Sequence, residues 1–131
     1  MYSRPPARAQ SGREIRVLGI IPARGGSKSI PRKNIAPLAG KPMIVYTIRA
    51  AERARSLDAF LVSTDDPVIA AVARRYGADV PFLRPKRFAR DRSPDIEFLQ
   101  HALAWVEEHR GWRPEAVVIL RPTAPLRITK D

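Results

Sequence analysis

Arg16-Val17-Leu18-Gly19-Ile20-Ile21-Pro22-Ala23-Arg24-Gly25-Gly26-Ser27-Lys28-Ser29-Ile30-Pro31-Arg32-Lys33-Asn34 runs from an apolar stretch into a glycine-bearing, basic loop, and this junction decides the fold. Residues 16–21 have the length and branched side chains of a buried strand. In α/β proteins ligand loops stand at strand C-termini, so residues 22–34 are a candidate site. Gly25 and Gly26 lack a β-carbon and can bring backbone N–H groups close to an anion. Arg24, Lys28, Arg32 and Lys33 add positive charge. A solvated basic turn has the same local composition, and for Arg32 that reading is the stronger of the two.

Two common phosphate designs do not fit. A Walker A loop needs a glycine, four residues, then Gly-Lys-Ser/Thr, and Lys28 follows Ser27 instead. The dinucleotide pattern G-x-G-x-x-G fails as well, because Ser, Lys, Ser, Ile and Pro follow Gly25-Gly26. ATPase and dehydrogenase readings go with them.

Working outward, the spacing of Ile44, Ile48, Ala51 and Arg55 predicts a helix over 43–55 behind Pro42. Residues 58–63 read as a second strand. Asp66-Pro67 is an N-cap signal for a helix through Tyr76, closed by Gly77 in the left-handed conformation. Residues 80–83 read as a short strand that Pro81 restricts to a sheet edge. Ser93-Pro94-Asp95 opens the longest helix, with Ser93 as its cap and Asp95 in its first turn. Ile96, Leu99, Leu103 and Val106 form its expected apolar stripe, and Gly111 its end. Ala116-Val117-Val118-Ile119-Leu120 suits the middle of a parallel sheet. Strands and helices alternate, which predicts a doubly wound three-layer α/β/α fold with a mostly parallel sheet.

At 131 residues and 44% hydrophobic content, the chain can hold one core. Residues 1–13 read as a basic, disordered tail, and 14–131 as one nucleotide-binding domain. The sheet after residue 120 would be only partly covered, so the domain reads as C-terminally truncated. Without cysteine there are no disulfides, thiol nucleophiles or thiolate metal sites. His101 and His109 are too few for a histidine metal cage. No membrane span or signal sequence is evident, so a cytoplasmic location is expected. The net charge of +11 raises nucleic acid as a partner. The arginines are scattered and few aromatics lie among them, so a nucleic-acid surface is disfavoured.

Ile21-Pro22-Ala23-Arg24 with Ser27-Lys28, Pro31, Lys33-Asn34-Ile35 and Leu38-Ala39-Gly40-Lys41-Pro42 resemble the opening of the acylneuraminate cytidylyltransferases. The resemblance continues in order through Val62-Ser63-Thr64-Asp65, Gly77-Ala78, Val80-Pro81-Phe82-Leu83-Arg84-Pro85, Ala89 with Asp91, and Pro122-Thr123-Ala124-Pro125-Leu126-Arg127. It covers about the N-terminal half of such an enzyme and implies a Rossmann-like nucleotidyltransferase of the nucleotide-diphospho-sugar transferase type.

The implied reaction activates a nine-carbon acidic sugar with CTP, giving a CMP-sugar and pyrophosphate. The resemblance implies Arg24 and Lys33 as catalytic phosphate contacts. It assigns Ala23, Arg24, Gly25, Lys28, Lys33, Asn34, Arg84, Asp91 and Ser93 to nucleotide binding, with Arg84 facing the cytosine. Arg121 and Thr123 would meet the sugar. Arg121 and Ala124 replace the glutamine and serine common in the family, and an arginine there can pair with a sugar carboxylate. The sugar itself stays open among sialic, legionaminic, pseudaminic and other acids. Magnesium is the implied cofactor, with its ligands beyond Asp131 and no metal ligand within this chain. A homodimer is implied for the full-length enzyme. Two alternatives stand beside this reading: a nucleotidyltransferase for another sugar or sugar phosphate, and a basic nucleotide- or nucleic-acid-binding module without catalysis.

Overall fold

The computed structural model of the chain describes residues 14–26, 32–89 and 94–122. Strand β1 (Val17–Pro22) leads through a 3-10 turn (Lys33–Ile35) to a small hairpin of β2 (Pro37–Leu38) and β3 (Lys41–Pro42). Helix α1 (Met43–Arg53), strand β4 (Ala59–Ser63) and helix α2 (Pro67–Arg75) follow. A second 3-10 turn (Lys86–Phe88), helix α3 (Asp95–Arg110) and strand β5 (Ala116–Ile119) complete the described elements.

The main sheet has the order β4-β1-β5, and both pairings are parallel. Leu18 sits opposite Ala59 and Val117, and Ile20 opposite Leu61 and Ile119. Successive strand residues face opposite sides, which divides the core in two. Leu18, Ile20, Ala59 and Leu61 pack with Phe98, Ala102 and Val106 of α3. Ile21, Phe60 and Val62 pack with Ile44 and Ile48 of α1 and with Ile69 and Ala73 of α2. The result is the three-layer arrangement expected from the alternation. Leu18, Ile20, Ile21, Leu61 and Val62 are fully buried, each contributing about 1.5–3 kcal/mol.

Polar contacts fix the ends of these elements. Both the Arg16 and Val17 N–H groups donate to Asp58 Oδ2 at 2.9 Å, joining the start of β1 to the approach to β4. Asp66 caps α2, its Oδ1 accepting from Val68 N at 2.8 Å. Gly77 (φ 93°) and Gly111 (φ 71°) follow α2 and α3 in the left-handed conformation expected of helix-ending glycines. Arg110 donates twice to the buried Asp79 carboxylate, at 2.6 and 3.1 Å, and lies over Trp105 and Trp112.

Four expectations are corrected. Residues 80–83 form one bridge, Thr64 to Leu83, rather than a strand. Hydrogen bonds from Val62 N to Asp79 O and from Arg84 N to Thr64 O hold them beside β4, and Pro81 has no N–H to extend the ladder. The edge position inferred from Pro81 is therefore right. Strand β5 has one strand partner among the described residues, and Val118 is 38% exposed. A run of apolar residues marks a strand but not its neighbours. In α3 Val106 is buried as expected and Leu99 and Leu103 pack against the core, but the buried stripe is Phe98, Ala102 and Val106, and Ile96 is 53% exposed. Helix α1 stops at Arg53, and Arg55 is exposed.

The hairpin was absent from the sequence reading. Its two-residue turn, Ala39-Gly40, has positive φ at both positions (53° and 86°), the geometry of a tight hairpin. Tyr46 of α1 braces it through a hydrogen bond from its hydroxyl to Leu38 O.

Gly19 shows how closely the sheet is packed. A β-carbon there would meet Leu57 Cδ1 at 2.9 Å, Leu120 Cδ1 at 3.1 Å and Phe60 Cβ at 3.2 Å. We expect Gly19→Val to destabilise the fold by about 1–3 kcal/mol through overpacking, read as a lower urea midpoint at unchanged m-value.

Candidate functional site

Because β1 pairs in parallel with both neighbours, the ends of all three strands reach one edge of the sheet. The strand order reverses at β1, since β4 lies on one side and β5 on the other. In open α/β sheets ligands bind at the C-terminal edge beside such a reversal. Ala23 extends the pairing by one bond, its N–H donating to Ser63 O at 2.9 Å. The backbone then turns away through Arg24 and Gly25.

The chain returns to the same place at Arg32, whose N–H donates to Gly25 O at 3.0 Å. Asn34, 9% exposed, donates from Nδ2 to Arg24 O at 3.2 Å. Arg24 Nη1 donates to Gly26 O. These bonds bring the two candidate cations Arg24 and Lys33 to one region, with Lys33 exposed on the 3-10 turn. The sequence grouping of Ala23, Arg24, Gly25, Lys33 and Asn34 is thus a spatial grouping too.

The role expected of Gly25 needs correction. Its N–H donates to Asp65 Oδ1 at 2.8 Å, so a protein carboxylate occupies the donor expected to face an anion. Neither Gly25 nor Gly26 has positive φ. Glycine is required at 25 for close approach: a β-carbon would stand 2.5 Å from Asp66 Oδ2 and 2.8 Å from Asp66 Cβ. Arg32 is solvent-exposed as expected, its side chain 52% exposed, but it is also ion-paired, its Nε donating to Asp66 Oδ2 at 2.7 Å.

The corner between β4 and α2 supplies these partners. Asp65 holds Gly25, with Lys86 Nζ 3.5 Å from its other oxygen. Helix capping falls to Asp66, whose own N–H donates to Thr64 Oγ1 at 3.1 Å. Burial alone would raise the Asp66 pKa, but the hydrogen bond from Arg32, those from the Val68 and Ile69 N–H groups and the Arg32 charge together bring it below the ordinary 3.8. Two consecutive carboxylates at a strand end are the signal that could have revealed this corner.

Arg84 stands on the far side of Ser63. It is 4% exposed, with Nε donating to Ser63 Oγ at 3.0 Å, Nη2 to Ser63 O at 2.7 Å and Nη1 to Phe88 O at 3.1 Å. Phe98 lies beneath the guanidinium at 5.1 Å. Burial lowers its pKa to about 10, with the Asp65 charge opposing that fall and the Arg24 charge adding to it. None of its hydrogen bonds among the described residues goes to a carboxylate. A guanidinium has five N–H groups, and three are used here.

His101 packs against Phe82 and Phe88, and its Nδ1 is buried without a hydrogen-bond partner. Burial first, then the charges of Arg84 and Arg87, lower its pKa below 6.5. The exposed His109 stacks on Trp105. Arg121, the candidate sugar contact, forms an ion pair with Asp95 at the start of α3, both side chains being about half exposed. Lys28, Asp91, Ser93 and Thr123 lie outside the described residues. Among the described residues no three His, Asp or Glu side chains cluster as metal ligands, and no helix is long and apolar enough to cross a membrane.

Two titrations set the acid response. Asp66 has a folded pKa below its unfolded value, so its contribution is complete above about pH 4 and is lost as pH falls through the lowered value. His101 also has a lowered folded pKa, so stability is lost as pH falls below about 6.5 and the unfolded state takes up the proton more readily. We expect the thermal midpoint to drop in both windows, and His101→Phe to remove the upper one. A midpoint independent of pH between about 6.5 and 5 in the unaltered chain would contradict the His101 assignment.

A sequence profile described as Cytidylyltransferase matches residues 18–93. An N-acylneuraminate cytidylyltransferase of Escherichia coli is 38% identical over 86% of this chain and 25% of its own length. A CMP-N,N'-diacetyllegionaminic acid synthase of Legionella pneumophila is 42% identical over 86% of this chain and 48% of its own length. The chain thus spans half or less of these curated relatives. Among solved structures, a CMP:2-keto-3-deoxy-manno-octonic acid synthetase complexed with CTP has the same fold, with a TM-score of 0.67 at 22% identity over 88% of this chain and 45% of that one.

Proposed function

The chain belongs to the cytidylyltransferase family, and from that premise we propose that it carries part of a site joining CTP to an acidic nine-carbon sugar. A sugar hydroxyl oxygen would attack the α-phosphorus, forming a new O–P bond as the bond to the β-phosphate oxygen breaks. The products would be a CMP-sugar and pyrophosphate, with the hydroxyl proton released to solvent or a base. Negative charge grows on the leaving and non-bridging oxygens, so fixed positive charge favours the transition state.

The observation that supports this reading best is Arg84, a buried guanidinium without a bonded carboxylate among the described residues, at the sheet edge that also carries Arg24 and Lys33. In the proposal Arg24 and Lys33 contact the triphosphate, Asn34 holds the backbone of Arg24, and the spare N–H groups of Arg84 serve the cytosine. Arg121 would exchange Asp95 for the sugar carboxylate. The relatives named for N-acylneuraminate and N,N'-diacetyllegionaminic acid support an acidic sugar as the second substrate.

Magnesium, a homodimeric assembly and a cytoplasmic location belong to the same proposal. Among the described residues, Asp65 and Asp66 are engaged by Gly25, Lys86, Val68 and Arg32. In this proposal the ligands for that ion come from residues beyond those described.

The expected result is pyrophosphate release from CTP with magnesium and one of a panel of nonulosonic acids, using the encoded protein. Release only with a different nucleotide or sugar phosphate would favour another nucleotidyltransferase. Salt-sensitive nucleic-acid binding without release would favour a binding module. Lys33→Ala should shift stability by no more than about 0.5 kcal/mol while weakening CTP binding about tenfold, measured by calorimetry.

A further inference from the structure

Two neighbouring carboxylates at the β4–α2 corner each take hold of a different end of the basic segment. Asp65 Oδ1 accepts from Gly25 N at 2.8 Å on the outgoing side. Asp66 Oδ2 accepts from Arg32 Nε at 2.7 Å on the returning side. The ends are also joined directly, Arg32 N to Gly25 O at 3.0 Å and Asn34 Nδ2 to Arg24 O at 3.2 Å. Both carboxylate side chains are only 9% exposed. The fit leaves no slack, because a β-carbon at Gly25 would overlap the Asp66 carboxylate. Arg32 adopts φ 53° and ψ 38°, a left-handed conformation that non-glycine residues enter only when their surroundings favour it.

Helix capping does not explain the arrangement. The cap uses Asp66 Oδ1, leaving Oδ2 for Arg32. Asp65 makes no bond to α2 among the described contacts and spends one oxygen on Gly25 and the other near Lys86. We propose that Asp65 and Asp66 are positioning residues, a two-carboxylate clamp that fixes the two ends of the basic segment, and with them Arg24 and Lys33, for contact with a nucleotide triphosphate. The clamp rests on the nucleotide site proposed above. It also answers an electrostatic difficulty. Two carboxylates at the floor of a phosphate site would repel the ligand, and here their lone pairs are turned toward a backbone N–H and a guanidinium. Neither residue touches the substrate; each acts through the cations it places.

The test separates the clamp from folding and from the nucleotide reading. Asp66→Asn keeps an oxygen for the helix cap but loses the charged partner of Arg32. CTP binding should weaken about tenfold in Asp66→Asn and in Arg32→Ala. The double variant should be no weaker than either single one, since both remove the same link. Additive losses would overturn the Arg32–Asp66 part of the clamp. Asp65→Ala should weaken binding by a similar factor, and Asp65→Asn, which keeps an acceptor for Gly25 N, should recover most of that loss. Equal losses for Asp65→Ala and Asp65→Asn would overturn the Gly25 part. Thermal midpoints taken alongside guard against misfolding: a binding loss that tracks the midpoint across all variants is structural and counts against the clamp. If the unaltered protein binds no CTP, the nucleotide reading falls and the clamp with it. If it binds CTP and every variant stays within twofold, the clamp alone is overturned.

Discussion

Parallel pairing of β1 on both of its edges is the constraint from which the rest of the structure follows. A strand with parallel neighbours cannot be linked to them by tight turns, so each connection must cross a face of the sheet. Here α1 covers one face between β1 and β4, and α3 covers the other between β4 and β5. The same pairing aligns the strand ends, and Pro22 lies opposite Ser63. The residues that follow them, Ala23 to Gly25 on one strand and Thr64 to Asp66 on the other, are thereby brought within hydrogen-bonding distance although some forty positions separate them.

The elements were legible where local chemistry specifies them. Asp66-Pro67, Gly77 and Gly111 mark helix ends by capping and left-handed geometry, and each lies where it was read. The apolar runs at 17–22 and 116–119 are strands for the same local reason. What could not be read was partnership. Pro81 identified an edge, but not that the edge would shrink to one bridge. The stripe on α3 was rotated because Ile96 and Phe98 are both apolar, and only the sheet beneath decides which is buried.

The candidate site divides in the same way. Glycine and cations close together in sequence indicated an anion loop, and in the fold Asn34, next to Lys33, bonds the backbone of Arg24. The donors in that loop were harder to apportion, because a backbone N–H serves a ligand or a protein carboxylate equally well. Asp65 takes the one at Gly25. Such long-range bonds leave no periodicity or composition in the sequence, and only the fold reveals them. Family resemblance supplied the assignment of Arg84, and the structure adds that its guanidinium is held by Ser63 and Phe88.

Burial of Arg84 makes this part of the sheet edge an electrostatic spring. Its guanidinium has given up most of its water for three neutral acceptors, and its proton is held less firmly than in solvent. A ligand acceptor meeting its spare N–H groups would reverse part of that loss and tighten the proton again. Part of the free energy of ligand binding would then come from relieving a cost already built into the folded chain, rather than from the contact alone. Recognition and folding would be thermodynamically coupled through one side chain, so a ligand held by Arg84 would stiffen the join between Ser63 and the turn at Lys86–Phe88.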